Sequence, residues 1–370
     1  MRTMPAGNRI DAASVGPIMS ATVRRAAYAA LDRTLGAGLL PDPLLRAGSR
    51  AGAHARLRRE ERGGVAAQEE RLAALLARMR SGPIAEQTAS ANRQHYELPP
   101  AFFELLLGPR LKYSSALWSE GVHDLAGAEE AMLRLTATRA QVADGMRILD
   151  LGCGWGSFSL YVCERFPGVR VLAVSNSAAQ REWIEAAAKR RGLSDRLEVR
   201  TVDANDLALD ERFDRVVSVE AFEHMRNWEE LLARIASWLA PDGRLFVHVF
   251  SHRRLAYEFE GTWAADRFFT AGRMPSHDLI LHFQRDLQVT HSWALPGTHY
   301  ARTLDAWLAR LDAHPHEARE LLAGAVGHRR AGRALATWRL FLLSTREMWG
   351  WRRGEEWMVS HHLLAPRAPR

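Results

Sequence analysis

Residues 148–156 read Ile-Leu-Asp-Leu-Gly-Cys-Gly-Trp-Gly. The apolar run Met146 to Leu151 has the length of a short buried strand, and Ser157 to Arg165 has helical spacing. Between them the glycines allow a tight turn and let a ligand approach a backbone that has no Cβ in the way. The helix start then offers unpaired N–H groups to a carboxylate or phosphate. The spacing is G-x-G-x-G, through Gly152, Gly154 and Gly156. A dinucleotide fold would carry G-x-G-x-x-G, and a phosphate loop would end in G-K-[ST]. The bare letters also fit a tight turn with no ligand. The strand before, the helix after and the acidic Asp150 favour a ligand-binding turn.

Outward from this turn the pattern is regular. Ala128 to Val142 reads as a helix, Val169 to Val174 as a strand and Ala178 to Arg191 as a helix. Leu197 to Val202 and Phe213 to Val219 read as strands, Asn227 to Leu239 as a helix and Arg244 to Phe250 as a strand. This alternation predicts an α/β fold, a parallel sheet with helices on both faces. Phe250 to Ser276 interrupts it with aromatics, Gly272 and Pro275. Leu287 to Trp293 then reads as a strand, 303–350 as helices and Glu356 to Leu364 as a last strand. The expected organisation is a basic helical extension over 1–84 and a main domain over 85–364, followed by a tail at 365–370. A cap is inserted at about 251–285. Within the extension, 1–50 suggests short helices with loose ends. Residues 53–80 suggest a helix with Leu72, Leu75, Leu76 and Met79 on one face, interrupted near its start by Gly63–Gly64. Asn92 to Trp118 reads as loop and short helices that cover something.

The bulk composition, 370 residues with 47% hydrophobic and 25% charged, is that of a globular protein with ample core. No apolar run approaches a membrane span, and the N-terminus has no apolar signal region, so the expected location is cytoplasmic. Cys153 and Cys163 form neither a disulfide framework nor a zinc spacing and read as reduced thiols. Residues 1–80 hold fourteen arginines against seven acids, so this stretch alone carries the net charge of +7. A basic arm can touch anionic lipid, and it is more often a solvated face. Only Tyr28 interleaves these arginines with an aromatic ring, which argues against nucleic acid. His361–His362 resembles a metal pair, but adjacent strand residues point to opposite faces, so no metal is expected.

The second strand ends in Ser175-Asn176-Ser177, with Gln180 one turn on. Nucleotide-binding α/β folds usually place a carboxylate there, whereas neutral amides can still hydrogen-bond a ribose or an amino-acid moiety. Asp203 and Ala204 follow the third strand. Asp203 reads either as an acceptor for an adenine amino group or as a turn residue.

A set of ordered motifs resembles one family. These are NRQHY at 92–96, LKYS at 111–114, ILDLGCGWGS at 148–157, SNSAAQ at 175–180 and EAFEHM at 220–225. They continue with FVHVFSH at 246–252, MPSHDL at 274–279, HFQRDLQV at 282–289, HYARTLDAWL at 299–308 and GEEWMVSHHL at 354–363. The chain resembles the cyclopropane-fatty-acyl-phospholipid synthase-like methyltransferases and, within them, the plant coclaurine N-methyltransferase branch. The resemblance covers about residues 85 to 364. It implies a class I methyltransferase fold, a Rossmann-like seven-stranded sheet whose last strand runs antiparallel, and S-adenosyl-L-methionine as cofactor. It further implies that Tyr113 and Ser114 close over the cofactor, and that Asp150, Gly152, Gly154, Asn176, Gln180, Asp203 and Ala204 line its site.

In an open parallel sheet, ligands sit beyond the carboxyl ends of the strands. Glu220, Glu223 and His224 follow the fourth strand, and the two glutamates share a face if this is a helical turn. Out of context E-x-x-E-H is a solvated helix start. Beside a methyl donor, carboxylates attract an ammonium and an imidazole or carboxylate can take its proton. The resemblance to the N-methyltransferase branch implies that Glu220, Glu223 and His224 carry substrate binding and deprotonation, so the expected function is N-methylation of a small, partly aromatic amine. The alternative is methylation or cyclopropanation of an unsaturated acyl chain, which the family supports with bicarbonate. The position after K-Y-S, a cysteine in those lipid enzymes, is here Ser115. Glu223, His248 and Tyr300 match other positions of that anion site, and no cysteine follows Cys163. A protein that binds the cofactor without turnover is a third reading. The aromatics of the insertion (Tyr257, Phe259, Trp263, Phe268, Phe269) and of the late helices (Trp338, Phe341, Trp349, Trp351) fit either core or a substrate wall.

Overall fold

A computed structural model describes residues 21–36, 40–86, 98–259, 262–269 and 272–367. The NRQHY motif and the first twenty residues of the basic arm lie outside them. Among the described residues three helices come first: α1 (Ala21–Gly36), α2 (Asp42–Glu61) and α3 (Gly64–Met79). The second is longer than its sequence pattern suggested. The break between α2 and α3 falls at Gly63 and Gly64, whose φ angles of 86° and 69° only glycine adopts without strain. Leu75, Leu76 and Met79 of α3 are buried against one face of the sheet. The short α4 (Pro100–Leu106) precedes a loop, and then comes α5 (Leu125–Arg139), capped by the Asp124 carboxylate.

The expected alternation follows. It comprises β1 (Arg147–Leu151), α6 (Ser157–Arg165), β2 (Arg170–Ser175), α7 (Ala178–Arg190), β3 (Leu197–Thr201), β4 (Phe213–Val219), α8 (Trp228–Trp238) and β5 (Leu239–His252). Strands β1 and β2 are buried on both faces after their first residue, as a parallel sheet covered by helices requires. The insertion forms a two-stranded ribbon, β6 (Tyr257–Glu258) with β7 (Arg273–Met274), around α9 (Trp263–Phe268). After it come β8 (Leu287–Pro296), α10 (Thr298–Ala313), α11 (Pro315–Val326), α12 (His328–Trp349) and β9 (Trp357–Pro366).

The sheet order is β3-β2-β1-β4-β5-β9-β8, and β9 runs antiparallel to both of its neighbours. Strand order reverses between β1 and β4, which opens a crevice at their carboxyl ends. Helices α1 and α2 do not project away from this body. Arg46 and Arg50 of α2 both bond the buried Glu347 of α12 at 2.8 Å. Asp32 of α1 takes Arg267 and the Trp263 indole of α9. Two of the arm's arginines are thus paired with one buried carboxylate of the body, and one of its acids with a body arginine. No helix among the described residues is long and apolar enough to cross a membrane.

Candidate active site

The turn after β1 is held by its own backbone. The N–H groups of Gly152 and Cys153 both donate to the Val174 carbonyl at 3.0 Å. Gly152 has φ 81°, and a Cβ there would lie 2.6 Å from Ala221 Cβ. Gly154 has φ 53° with nothing within 4 Å of a Cβ, so the cradle is open at this residue. Asp150 is buried and accepts from the Ser159 hydroxyl at 2.6 Å, which ties the strand to α6. Burial pushes its carboxyl up to about 6.

At the end of β2, Ser177 caps α7 by accepting from the Gln180 N–H. The Ser175 hydroxyl donates to Gln180 Oε1 at 2.6 Å, while Gln180 Nε2 is buried with no partner. An orphaned buried donor costs about 1–3 kcal/mol, and a bound cofactor that accepts there removes the cost. Asn176 sits half-buried in the bend beside it. Asp203 Oδ1 accepts from the Asn205 N–H and Nδ2 at 2.9 Å each, so one oxygen serves the turn. The adjoining Ala204 is half-buried. The glycine turn, the free Gln180 amide and this loop fit an adenosyl group bearing an amino-acid tail.

Glu220, Glu223 and His224 lie at the end of β4. Glu220 is not in the helical turn; it precedes the 3-10 turn Phe222–His224 with φ 48°. A left-handed backbone at a non-glycine is strained and is tolerated where its surroundings over-determine it. The surroundings do so here. The Glu220 carboxylate accepts from Tyr300 Oη at 2.7 Å, from the Ser115 N–H at 3.3 Å and from His248 Nε2 at 3.3 Å. Ser115 therefore contributes its backbone, while its hydroxyl turns to the Ala116 carbonyl. Glu223 is buried beside Glu220, and its Oε2 has no partner. Burial first, and then the neighbouring Glu220 charge, push the Glu223 carboxyl well up. Glu220 is also raised by burial, against the pull of Lys112, Tyr300, the Ser115 N–H and His224. His224 is held down to about 4 by burial and is neutral at neutral pH.

These three residues face a cavity of about 580 Å³. Of the aromatics with two readings, Tyr257, Phe259, Trp263, Phe269, Phe341 and Trp349 line it, whereas Phe268 and Trp338 pack in the core behind. The Tyr300 ring stacks on Trp349 at 4.7 Å, and His224 stacks on Phe269. Tyr113 lines the same cavity, and Ser114 lies buried behind it.

Two contributions escaped the sequence reading. Lys112, one of only two lysines in the chain, is fully buried and donates to the Ser114 hydroxyl and to the Ser115 carbonyl at 2.8 Å. Burial holds its ammonium down to about 8. Its rarity amid arginines was the available signal. The other is the wall made by α1 and α2, where Leu31, Leu45, Ala53 and Arg56 border the cavity. The irregular apolar spacing of 1–50 gave no face to read.

A seven-stranded sheet of this order, with a glycine turn at β1 and a second site at the end of β4, defines a class I S-adenosylmethionine-dependent methyltransferase. Residues 85–348 match the mycolic acid cyclopropane synthetase family. The (S)-coclaurine N-methyltransferase of Thalictrum flavum subsp. glaucum is 37% identical over 349 residues, 92% of this chain and 96% of its own. The cyclopropane-fatty-acyl-phospholipid synthase of Escherichia coli strain K12 is 30% identical over 220 residues, 59% of this chain and 55% of its own. A crystal structure of coclaurine N-methyltransferase bound to N-methylheliamine and SAH aligns with TM-score 0.87 at 34% identity, across 91% of this chain and 99% of that one. The chain belongs to the mycolic acid cyclopropane synthetase family, and it is an S-adenosylmethionine-dependent methyltransferase.

Proposed function

We propose that the chain N-methylates a small, partly aromatic amine, with Glu220, Glu223 and His224 as its catalytic residues. One observation carries this reading: two buried carboxylates, one with an unpartnered oxygen, face a cavity walled mostly by apolar and aromatic side chains. Such a pair is poorly stable by itself, because like charges cannot both be carried in a dry site. An ammonium between them relieves the repulsion, and the aromatic faces attract the same cation. The names of the coclaurine N-methyltransferase relatives support an amine as well.

The sulfonium of the cofactor, when bound at the glycine turn, supplies the methyl group and the leaving group. The protein's part is alignment and proton removal. Glu220 draws in the ammonium and orients it; Glu223 binds it from the second side. His224, neutral and pressed against Phe269, accepts the proton at a ring nitrogen, and the Glu220 charge favours that transfer. Tyr113 and the cavity aromatics wall the acceptor.

The lipid alternative draws less support. Of the groups that match the bicarbonate site, His248 and Tyr300 hydrogen-bond the Glu220 carboxylate instead, the Ser115 hydroxyl turns to the Ala116 carbonyl, and Glu223 keeps one unpartnered oxygen. The test is labelled-methyl transfer to a mixed panel of amines and unsaturated phospholipids, followed by mass spectrometry. Methylated amine is the expected product. Acyl chains heavier by a methylene, with no methylated amine, would overturn the reading.

A further inference from the structure

A row of side chains, buried at its two histidines, crosses the sheet at one level. His248 of β5 and His361 of β9 are direct cross-strand partners, and Trp293 of β8 lies opposite His361. The two imidazoles are 4.5 Å apart, and both are buried. Arg139, in the last turn of α5, covers the far end of the row with its guanidinium 4.8 Å from the Trp293 ring. Three hydrogen bonds join the row. They link Arg139 Nη1 to His361 Nδ1 at 2.9 Å, His361 Nε2 to His248 Nδ1 at 2.9 Å, and His248 Nε2 to Glu220 Oε1 at 3.3 Å.

The directions of these bonds are forced. A guanidinium has donors only, so His361 Nδ1 must accept. A neutral imidazole carries a single N–H, so His361 donates from Nε2 to His248 Nδ1. His248 must then present its Nε2–H to Glu220. Both rings are neutral, since burial holds each well below the ordinary histidine value. The other groups facing Glu220 are Lys112 and the Ser115 N–H from the loop ahead of α5, His224 and Glu223 from its own turn, and Tyr300 from α10. Those facing His361 are Arg139, His248, Lys112 and the adjacent His362. His362 points to the opposite face, where Ser292 and His277 receive it.

We propose that Arg139 and His361 are positioning residues, a relay that fixes His248 with its Nε2–H on Glu220 and thereby keeps Glu220 ionised and aimed into the acceptor cavity. The inference rests on the reading of Glu220 as the charged group of an amine site. Aligned donors polarise one another in a low-dielectric interior, and the positive end of this chain is the Arg139 cation. Without it, His248 is free to take the other tautomer and present a lone pair to the carboxylate.

Two measurements decide the matter. In the whole protein labelled with 15N-histidine, NMR should find His248 and His361 as neutral Nε2–H tautomers. An Nδ1–H on either ring overturns the relay whatever the substrate is. In kinetics, H361L and R139M should move the acid limb of kcat/KM upward by about one unit, a loss of about tenfold on that limb. The KM for the cofactor should not change. H361Q, whose amide can accept from Arg139 and donate to His248, and R139K should restore the parental profile. E220Q separates this inference from the reading beneath it. If E220Q keeps the parental limb, the role given to Glu220 fails. If E220Q abolishes the limb while H361L and R139M keep it, the relay fails and the role of Glu220 stands.

Discussion

One unbroken stretch, Asp150 to Gln180, builds the heart of the candidate cofactor end, whereas the proposed acceptor cavity draws residues from Leu31 of α1 to Trp357 of β9. At the cofactor end the working parts are backbone: two N–H groups on one carbonyl, glycines with positive φ, a capped helix start. At the acceptor end they are side chains held by other side chains, with Glu220 gripped by residues from three other segments. A site made of backbone depends on local chain geometry. A site made of converging side chains can change its substrate by changing a few of them. The two ends meet at Gly152 against Ala221, next to Glu220.

If the two ends are separable, Glu220→Ala and His224→Ala should each lower turnover by about 10²–10⁴-fold. Cofactor affinity, measured by titration calorimetry, should stay within a few-fold of the parent. A parallel loss of cofactor binding in both variants would show that the ends work as one. Gly152→Ala tests their point of contact. The new Cβ takes a φ of 81° and meets Ala221 at 2.6 Å. A left-handed alanine alone costs about 1–2 kcal/mol. Cofactor affinity should fall at least about tenfold and the melting temperature should drop, whereas parental values for both would show that the turn yields freely.

The same contrast explains what could be read from the sequence. The strand–turn–helix at β1 and the capped helix start at Ser177 were legible because they follow from local geometry and short spacing. The parallel strands were legible because buried parallel strands are continuous apolar runs. Glu220, Glu223 and His224 were legible as a cluster, but their geometry was not; Glu220 precedes the turn rather than sharing a helical face with Glu223. The histidine pair was rightly read as facing two ways, yet nothing in its letters tied His361 to Glu220. That contact exists only because antiparallel β9 brings His361 beside His248. The α2 wall was illegible for a related reason. Its residues gain a face only once α12 is there to pack against.

That wall offers smaller tests. Glu347→Gln removes the anchor on which Arg46 and Arg50 converge. Both arginines are part-exposed and can turn to water, so the loss is about 1 kcal/mol. The amine KM should rise roughly fivefold while kcat and cofactor affinity hold. An unchanged KM would mean that α2 does not shape the acceptor site.

The smallest effect has opposite signs in its two readouts. Gly52 of α2 borders the cavity, and a Cβ there meets nothing within 4 Å. Leucine at this helical position should therefore fit and raise stability by about 0.5–1 kcal/mol through helix propensity. The added side chain reaches over the cavity, so the KM for a bulky amine should rise about two- to fivefold, with a smaller amine unaffected. A more stable protein that discriminates against large acceptors would place specificity on the N-terminal helices. Equal KM changes for large and small amines would return that role to the cap and to α12, since a wall that shapes the cavity must sense the size of its contents.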